Sequence, residues 1–130
     1  MIPLELSKDL NPNLIHDEIC NKYTLNRLSG ILKLKVNIEE EGRYMICVKY
    51  NSIKNPNLRL VINNVICDNN FCKNKTGSLD YIISVNYKNG PYFFKKGEND
   101  IDIQCSGRFP EVYEMYLEEY VPLPLQIYQY

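Results

Sequence analysis

Tryptophan and alanine are both missing from this chain of 130 residues, and histidine occurs once. The lack of alanine, beside abundant Asn, Ile, Lys and Tyr, is the signature of an AT-rich genome and carries no chemistry. The lack of tryptophan removes the broadest flat apolar face a binding site can offer, leaving that role to tyrosine and phenylalanine. One histidine, His16, and no Cys-x-x-Cys pair leave little from which to build a metal centre. Neither sign of charge dominates: 15 Lys and Arg against 16 Asp and Glu give a net charge of −1. No basic patch large enough for phosphate-driven nucleic-acid binding is visible. No apolar run approaches the roughly 18 residues that cross a bilayer. Ile2 to Leu6, interrupted by Pro3, is too short for a signal peptide, so any leader is expected to have been removed.

The motifs of catalysis are missing too. There is no Gly-x-Ser-x-Gly elbow, no phosphate loop and no zinc-protease helix. Asp100 and Asp102 share one strand face, and they would serve a glycosidase only with a partner carboxylate across a cleft. A solvated strand explains them better. The chain is not expected to be an enzyme.

What is present is alternation. Tyr44, Ile46, Val48 and Tyr50 alternate with Arg43, Met45, Cys47 and Lys49, a period that buries one row against a core. Leu32, Leu34, Val36 and Ile38 repeat it, as do Ile101, Ile103 and Cys105. These predict strands over 31–38, 42–50 and 101–105, the last two as neighbours in one sheet. Further strands are expected at Ile2 to Leu6 (an edge strand tolerating Pro3), 58–62, 65–66, 79–87, 92–94 and 112–120. In the last of these, Tyr113, Met115 and Leu117 share a face opposite Glu114, Tyr116, Glu118 and Tyr120. Turns fall at Asn11-Pro12-Asn13, at Glu39 to Gly42, at Asn55-Pro56-Asn57, at Asn63-Asn64, at Lys88 to Pro91 and at Lys95-Lys96-Gly97. The three acids at Glu39 to Glu41 fit a solvated turn better than a cation site. Residues 14–28 read two ways: Leu14, Ile15, Glu18 and Ile19 have the spacing of one helical turn, but the polar remainder favours an irregular excursion carrying a surface His16. Eight or nine short strands indicate an all-β sandwich, a jelly roll of two antiparallel sheets. Residues 1–120 would form one domain, ahead of an extended tail or linker at 121–130.

Five cysteines suit an oxidising compartment. Cys67 and Cys72 bracket a turn-rich tetrapeptide and are expected to form a disulfide. If Cys105 faces inward, Cys20 is its better mate, because Cys47 belongs to the opposite row. Asn74-Lys75-Thr76 is an N-glycosylation sequon, consistent with a surface loop.

Gly42-Arg43-Tyr44 with Val48-Lys49-Tyr50, Leu60 to Asn64, Thr76-Gly77, Lys96 to Ile101 and a closing apolar strand together resemble the β-sandwich carbohydrate-binding modules of the family 6 and 35 type. The resemblance spans roughly residues 30–120 and implies a non-catalytic module that holds polysaccharide-degrading enzymes on their substrates, often with structural calcium. Two features depart from it. Leu79 and Tyr81 follow Thr76-Gly77-Ser78 where a sugar-stacking Trp is usual, and Ile2 to Leu6 shows no clear acidic pair for calcium. A narrower resemblance rests on the cysteine-bearing hairpin after Asn63-Asn64, the Gly97-Glu98-Asn99 turn, Ser106 to Pro110 and the AT-rich composition. It is to a repeat of anaerobic fungal cellulosome scaffoldins, which implies a secreted, cohesin-like module receiving the dockerin domains of secreted enzymes.

A jelly roll is expected to gather the turns at 39–42, 63–65, 87–91 and 106–111 at one end, beside Tyr87, Arg108 and Phe109. These three and Tyr116 are the candidate partner-binding residues, Tyr and Arg being enriched at interface hot spots. The alternative is direct recognition of a plant cell-wall polysaccharide, with Tyr81, Tyr92 or Tyr116 as stacking platforms. A structural cell-surface domain without a specific ligand is a third reading. No cofactor is expected.

Overall fold

The computed structural model describes residues 1–26, 28–77 and 84–122, residues 28 and 29 by backbone alone. Ten strands run in chain order: β1 (Ile2–Pro3), β2 (Leu14–Asp17), β3 (Lys22–Leu25), β4 (Leu28–Ile38), β5 (Gly42–Asn51), β6 (Leu58–Ile62), β7 (Val65–Phe71), β8 (Val85–Phe94), β9 (Gly97–Arg108) and β10 (Glu111–Glu119). One sheet has the order β2-β3-β10-β5-β8, with β1 also paired to β10; the other has β4-β9-β6-β7. Every pairing is antiparallel. No helix occurs among the described residues. The all-β sandwich expected from the alternation is the architecture found.

The inward rows are the alternating ones. Leu32, Leu34, Val36 and Ile38 of β4, Leu58, Leu60 and Ile62 of β6, and Ile101, Ile103 and Cys105 of β9 meet Tyr44, Ile46, Val48 and Tyr50 of β5 across one core. Strands β5 and β9 are therefore not sheet neighbours. They face each other, because an inward row meeting its partner across a core has the same period as one lying beside it.

Three further expectations are corrected. Residues 14–25 form a β-hairpin, with Leu14 opposite Leu25 at its base. Asp17 Oδ1 accepts from the amides of Ile19 and Cys20 at 3.0 and 3.3 Å, and Asn21 takes a φ of 51° to close the turn. Strand β7 continues through Asp68-Asn69-Asn70, where a loop was expected; residues of low strand propensity are tolerated on this edge strand, Asn69 and Asn70 being exposed and Asp68 half-buried. The Lys88 to Pro91 turn is a bulge inside β8, where the register to β5 slips between Tyr44 and Ile46. Gly90 sits there at φ 126°, and a Cβ on it would lie 3.1 Å from the Tyr92 ring and 3.2 Å from the Tyr44 carbonyl. Gly90→Ala is expected to destabilise the domain by about 2–3 kcal/mol, from backbone strain and that contact together. A urea transition unchanged in midpoint would contradict it.

The cysteine pairings also fail. All five cysteines are free thiols. The strand that replaces the expected turn is the reason: five residues of extended chain put residues 67 and 72 about 16 Å apart at ~3.3 Å each. A disulfide tolerates no more than about 7 Å between Cα atoms. Cys67 is exposed while Cys72 is buried. Cys105 does face inward, but Cys20 lies in the β2–β3 turn, and the Cys105 thiol donates instead to backbone carbonyls of Gly107 and Pro56 at 3.3 and 3.6 Å. The cysteines therefore no longer speak for an oxidising compartment.

The expected gathering of turns is half right. The 39–42 and 63–65 turns share an end of the sandwich, since Ile38 pairs with Gly97 and Ile62 with Ile101. Residues 106–111 lie at the opposite end, beside the β5–β6 loop, and 87–91 belong to a strand. Residues 79–83 of the expected 79–87 strand lie outside the described residues, as does 123–130 of the expected tail.

Burial raises the phenols of Tyr50, Tyr87 and Tyr92 above their ordinary value, Tyr87 to about 12, and lifts the Cys72 thiol well above its usual range. An unfolded phenol ionises near pH 10. Stability held by these neutral groups is thus complete below the thiol and phenol ranges and drains away as pH climbs from about 9 toward 12, at up to about 1.4 kcal/mol per pH unit for each fully buried group. Urea midpoints are expected to be lower at pH 11 than at pH 9; equal midpoints would contradict the burial described.

Candidate functional site

At the end where β5, β7 and β9 finish, the loop of residues 52–57 and the segment 106–110 enclose a groove of about 370 Å³. That volume lies within the range of small-ligand sites. The loop is set by its own turn chemistry. Thr76 and Gly77 donate their amides to the Ser52 carbonyl at 2.8 and 3.2 Å, anchoring the first residue. Ser52 Oγ donates to the Lys54 carbonyl at 2.6 Å. Asn55 Oδ1 accepts from the Asn57 amide at 3.0 Å, and Asn57 takes a φ of 51°. The neutral thiol of Cys105, whose ionisation burial disfavours, ties the two walls through the Pro56 and Gly107 carbonyls.

The floor is apolar, made by buried Phe109, Pro56 and Pro110, with exposed Ile53 on one wall. The rim carries Lys54 and Arg108, both exposed. Neither makes an ion pair among the described residues, and no carboxylate lines the groove. An apolar floor under polar groups can seat the C–H face of a ring while the rim binds its substituents. Two cations without a counter-charge favour an anionic substituent.

The candidate residues of the sequence reading are placed apart. Arg108 and Phe109 belong to this groove, Phe109 as floor rather than as an exposed face. Tyr87 is a core residue, packed edge-on to Phe71 and Tyr50 at 5.4 and 6.5 Å between centroids. Tyr116 lies opposite Cys47 on β5 and opposite Pro3 on β1, half-buried. Tyr92 packs against the core, with its hydroxyl 3.3 Å from Asp68 Oδ2. Tyr81 lies outside the described residues. The sequence reading missed Lys54 and Ile53, though Asn55-Pro56-Asn57 announced the turn that presents them.

His16 is exposed but partnered: its ring stacks on Tyr23 at 4.2 Å and Nε2 lies 3.0 Å from Asn21 Oδ1. Asp100 points out of β9, within 3.6 Å of Lys35. Glu39 to Glu41 are all exposed. No three His, Cys, Asp or Glu residues are placed to hold a metal among the described residues. Ile2 to Leu6 offers the single acid Glu5, so the donors there do not fit the calcium that the resemblance implies. Asn11 fixes the N-terminal stretch instead, donating from Nδ2 to the carbonyls of Ser7 and Lys33 while Oδ1 accepts from the Lys33 amide.

No protein-family profile matches the chain, and no curated protein matches it in sequence. Solved structures do. A family 35 carbohydrate-binding module from Paenibacillus barcinonensis superposes with a TM-score of 0.62 at 15% identity, over 76% of this chain and 78% of that one. A family 35 module from Clostridium thermocellum gives 0.60 at 20%, over 71% and 72%. A family 35 module solved in complex with a glucuronic acid-containing disaccharide gives 0.56 at 14%, over 74% and 70%. At these identities the likeness is one of fold: the chain has the jelly-roll sandwich of the family 35 carbohydrate-binding modules.

Proposed function

We propose that this chain is a non-catalytic carbohydrate-binding module, acting outside the cell, whose site is the groove between residues 52–57 and 106–110. Its ligand is a plant cell-wall saccharide bearing a uronic acid. The observation that carries this is the pairing of Lys54 and Arg108 over an apolar floor with no carboxylate among the lining residues. A uronate carboxylate would meet these cations in charge-assisted hydrogen bonds, and the floor would take the ring. The shared fold supports the class of function, and one neighbour of that fold was solved with a glucuronic acid-containing disaccharide. The dockerin-receiving reading draws nothing from these neighbours and rests on its sequence resemblance alone.

Calorimetric titration with a glucuronic acid-substituted xylobiose and with plain xylobiose tests the proposal. Binding of the acidic sugar, at least tenfold tighter than the neutral one, is expected. Equal affinities would remove the uronate assignment. No heat with either sugar, together with no retardation on glucuronoxylan, xylan, cellulose, mannan or pectin in affinity gels, would remove the carbohydrate reading.

A further inference from the structure

Strands β7 and β8 end their respective sheets on the same side of the sandwich, and between them lies a second cleft of about 590 Å³. It shares no lining residue with the end groove, meets it at the hydrogen bond from Asn55 Nδ2 to Asn70 Oδ1 at 3.3 Å, and differs from it in chemistry. Asp68 forms its hub: Oδ2 accepts from Asn89 Nδ2 at 2.8 Å and lies 3.3 Å from the Tyr92 hydroxyl, while Oδ1 accepts from the Asn70 amide at 2.8 Å. These bonds join the edge of one sheet to the edge of the other. They also occupy most of the carboxylate's acceptor positions. Lys88, on the rim, is already paired with Glu118 at 3.0 Å.

What remains unspent is amide. Asn70, Asn74, Asn86 and Asn89 all line the cleft. Among the described residues the side chains of Asn74 and Asn86 make no hydrogen bond, the Asn89 Oδ1 accepts none, and Asn70 Nδ2 donates none. Each asparagine side chain sets an acceptor beside a donor. That is the complement of two adjacent ring hydroxyls, each of which donates and accepts in turn. Two such pairs, on Asn74 and Asn86, with the Asn89 acceptor and the Asn70 donor beside them, suit a neutral polyol better than an ion, since Asp68 is already hydrogen-bonded and Lys73 and Lys88, which also line the cleft, oppose it in sign.

We propose that the β7–β8 cleft is a second saccharide-binding site, taking a neutral stretch of polysaccharide through its asparagine side chains. A module with two sites of different charge preference could hold a decorated chain at a uronic acid branch and at unsubstituted backbone together, gaining avidity from weak individual contacts. The ligand class rests on the carbohydrate reading above, but the site does not depend on the end groove.

The test is an NMR titration of the ¹⁵N-labelled chain with xylohexaose, cellohexaose and mannohexaose in turn. Side-chain amide signals of Asn74, Asn86 and Asn89 report the cleft, and backbone amides of residues 54, 55, 57 and 106–108 report the groove. Saturable shifts of the asparagine signals with at least one of these sugars are expected. In an Asn74→Ala/Asn86→Ala variant, which breaks no hydrogen bond of the fold, affinity at the cleft should fall at least tenfold while the groove signals respond as before. Shifts confined to the groove would overturn the second site and leave the function proposed above standing. Shifts in the cleft alone would uphold the second site and leave the groove to be decided by the acidic-sugar titration. Silence at both, with all three sugars, would overturn the second site; the acidic-sugar titration then decides separately on the groove.

Discussion

Phe71→Ala is expected to cost about 3–5 kcal/mol, a large share of the domain's stability. Phe71 is the last residue of β7 and is 0% exposed, with its ring edge-on to Tyr87 at 5.4 Å. It carries the contact that keeps an edge strand, paired among the described residues only to β6 through two register slips, seated on the opposing sheet. Truncating a buried phenylalanine loses its transfer free energy and opens a cavity. A domain stable by about 5–15 kcal/mol has little reserve against such a loss. Phe93 is the control: it is 57% exposed on β8, and Phe93→Ala should change stability by less than about 0.5 kcal/mol. Equal urea midpoints for the two variants would contradict the core assignment.

Arg108→Glu is expected to weaken the acidic disaccharide by about 30–100-fold while changing the neutral sugar less than about threefold. A hydrogen bond to a charged group contributes about 1.5–3 kcal/mol, each 1.4 kcal/mol being tenfold in affinity. Reversal adds repulsion at a rim where Lys54 is the only other charge. Arg108 is exposed on the last residue of β9, so the fold should tolerate the change. Lys54→Glu should act in the same direction more weakly, since an ammonium lacks the planar fork that grips a carboxylate at two points. Raised salt should narrow the gap between acidic and neutral sugars for the unsubstituted protein. A loss shared equally by both sugars would mean that Arg108 shapes the groove without reading charge.

The body of the sandwich was legible from period alone. Strands β4, β5, β6 and β9 carry uninterrupted alternation because one face of each is buried under the other sheet; in β10 a bulge between Val112 and Glu114 breaks it, so Val112, and not the expected Tyr113, joins Met115 and Leu117 in the core. Strands β7 and β8 were read short because their interruptions, Asp68-Asn69-Asn70 and Asn89-Gly90-Pro91, are ordinary loop signals. Only the pairing partner turns such a signal into an edge strand or a bulge. That misreading carried the disulfide with it and put Tyr87 on a rim when its inward position in β8 buries it. In the groove, Arg108 and Phe109 stood out by residue type, while Lys54 and Ile53 did not. Nothing local distinguishes a loop lysine that lines a site from one that is merely solvated. Which loops share an end is fixed by strand order, and period does not encode strand order.

The most direct measurement is a crystal structure of the chain grown with a glucuronic acid-substituted xylooligosaccharide. The account predicts sugar density between residues 52–57 and 106–110, with its carboxylate within hydrogen-bonding distance of Arg108 or Lys54 and a ring resting above Phe109 and Pro110. Sugar seated elsewhere, or with its carboxylate turned to solvent and both cations unengaged, would contradict it.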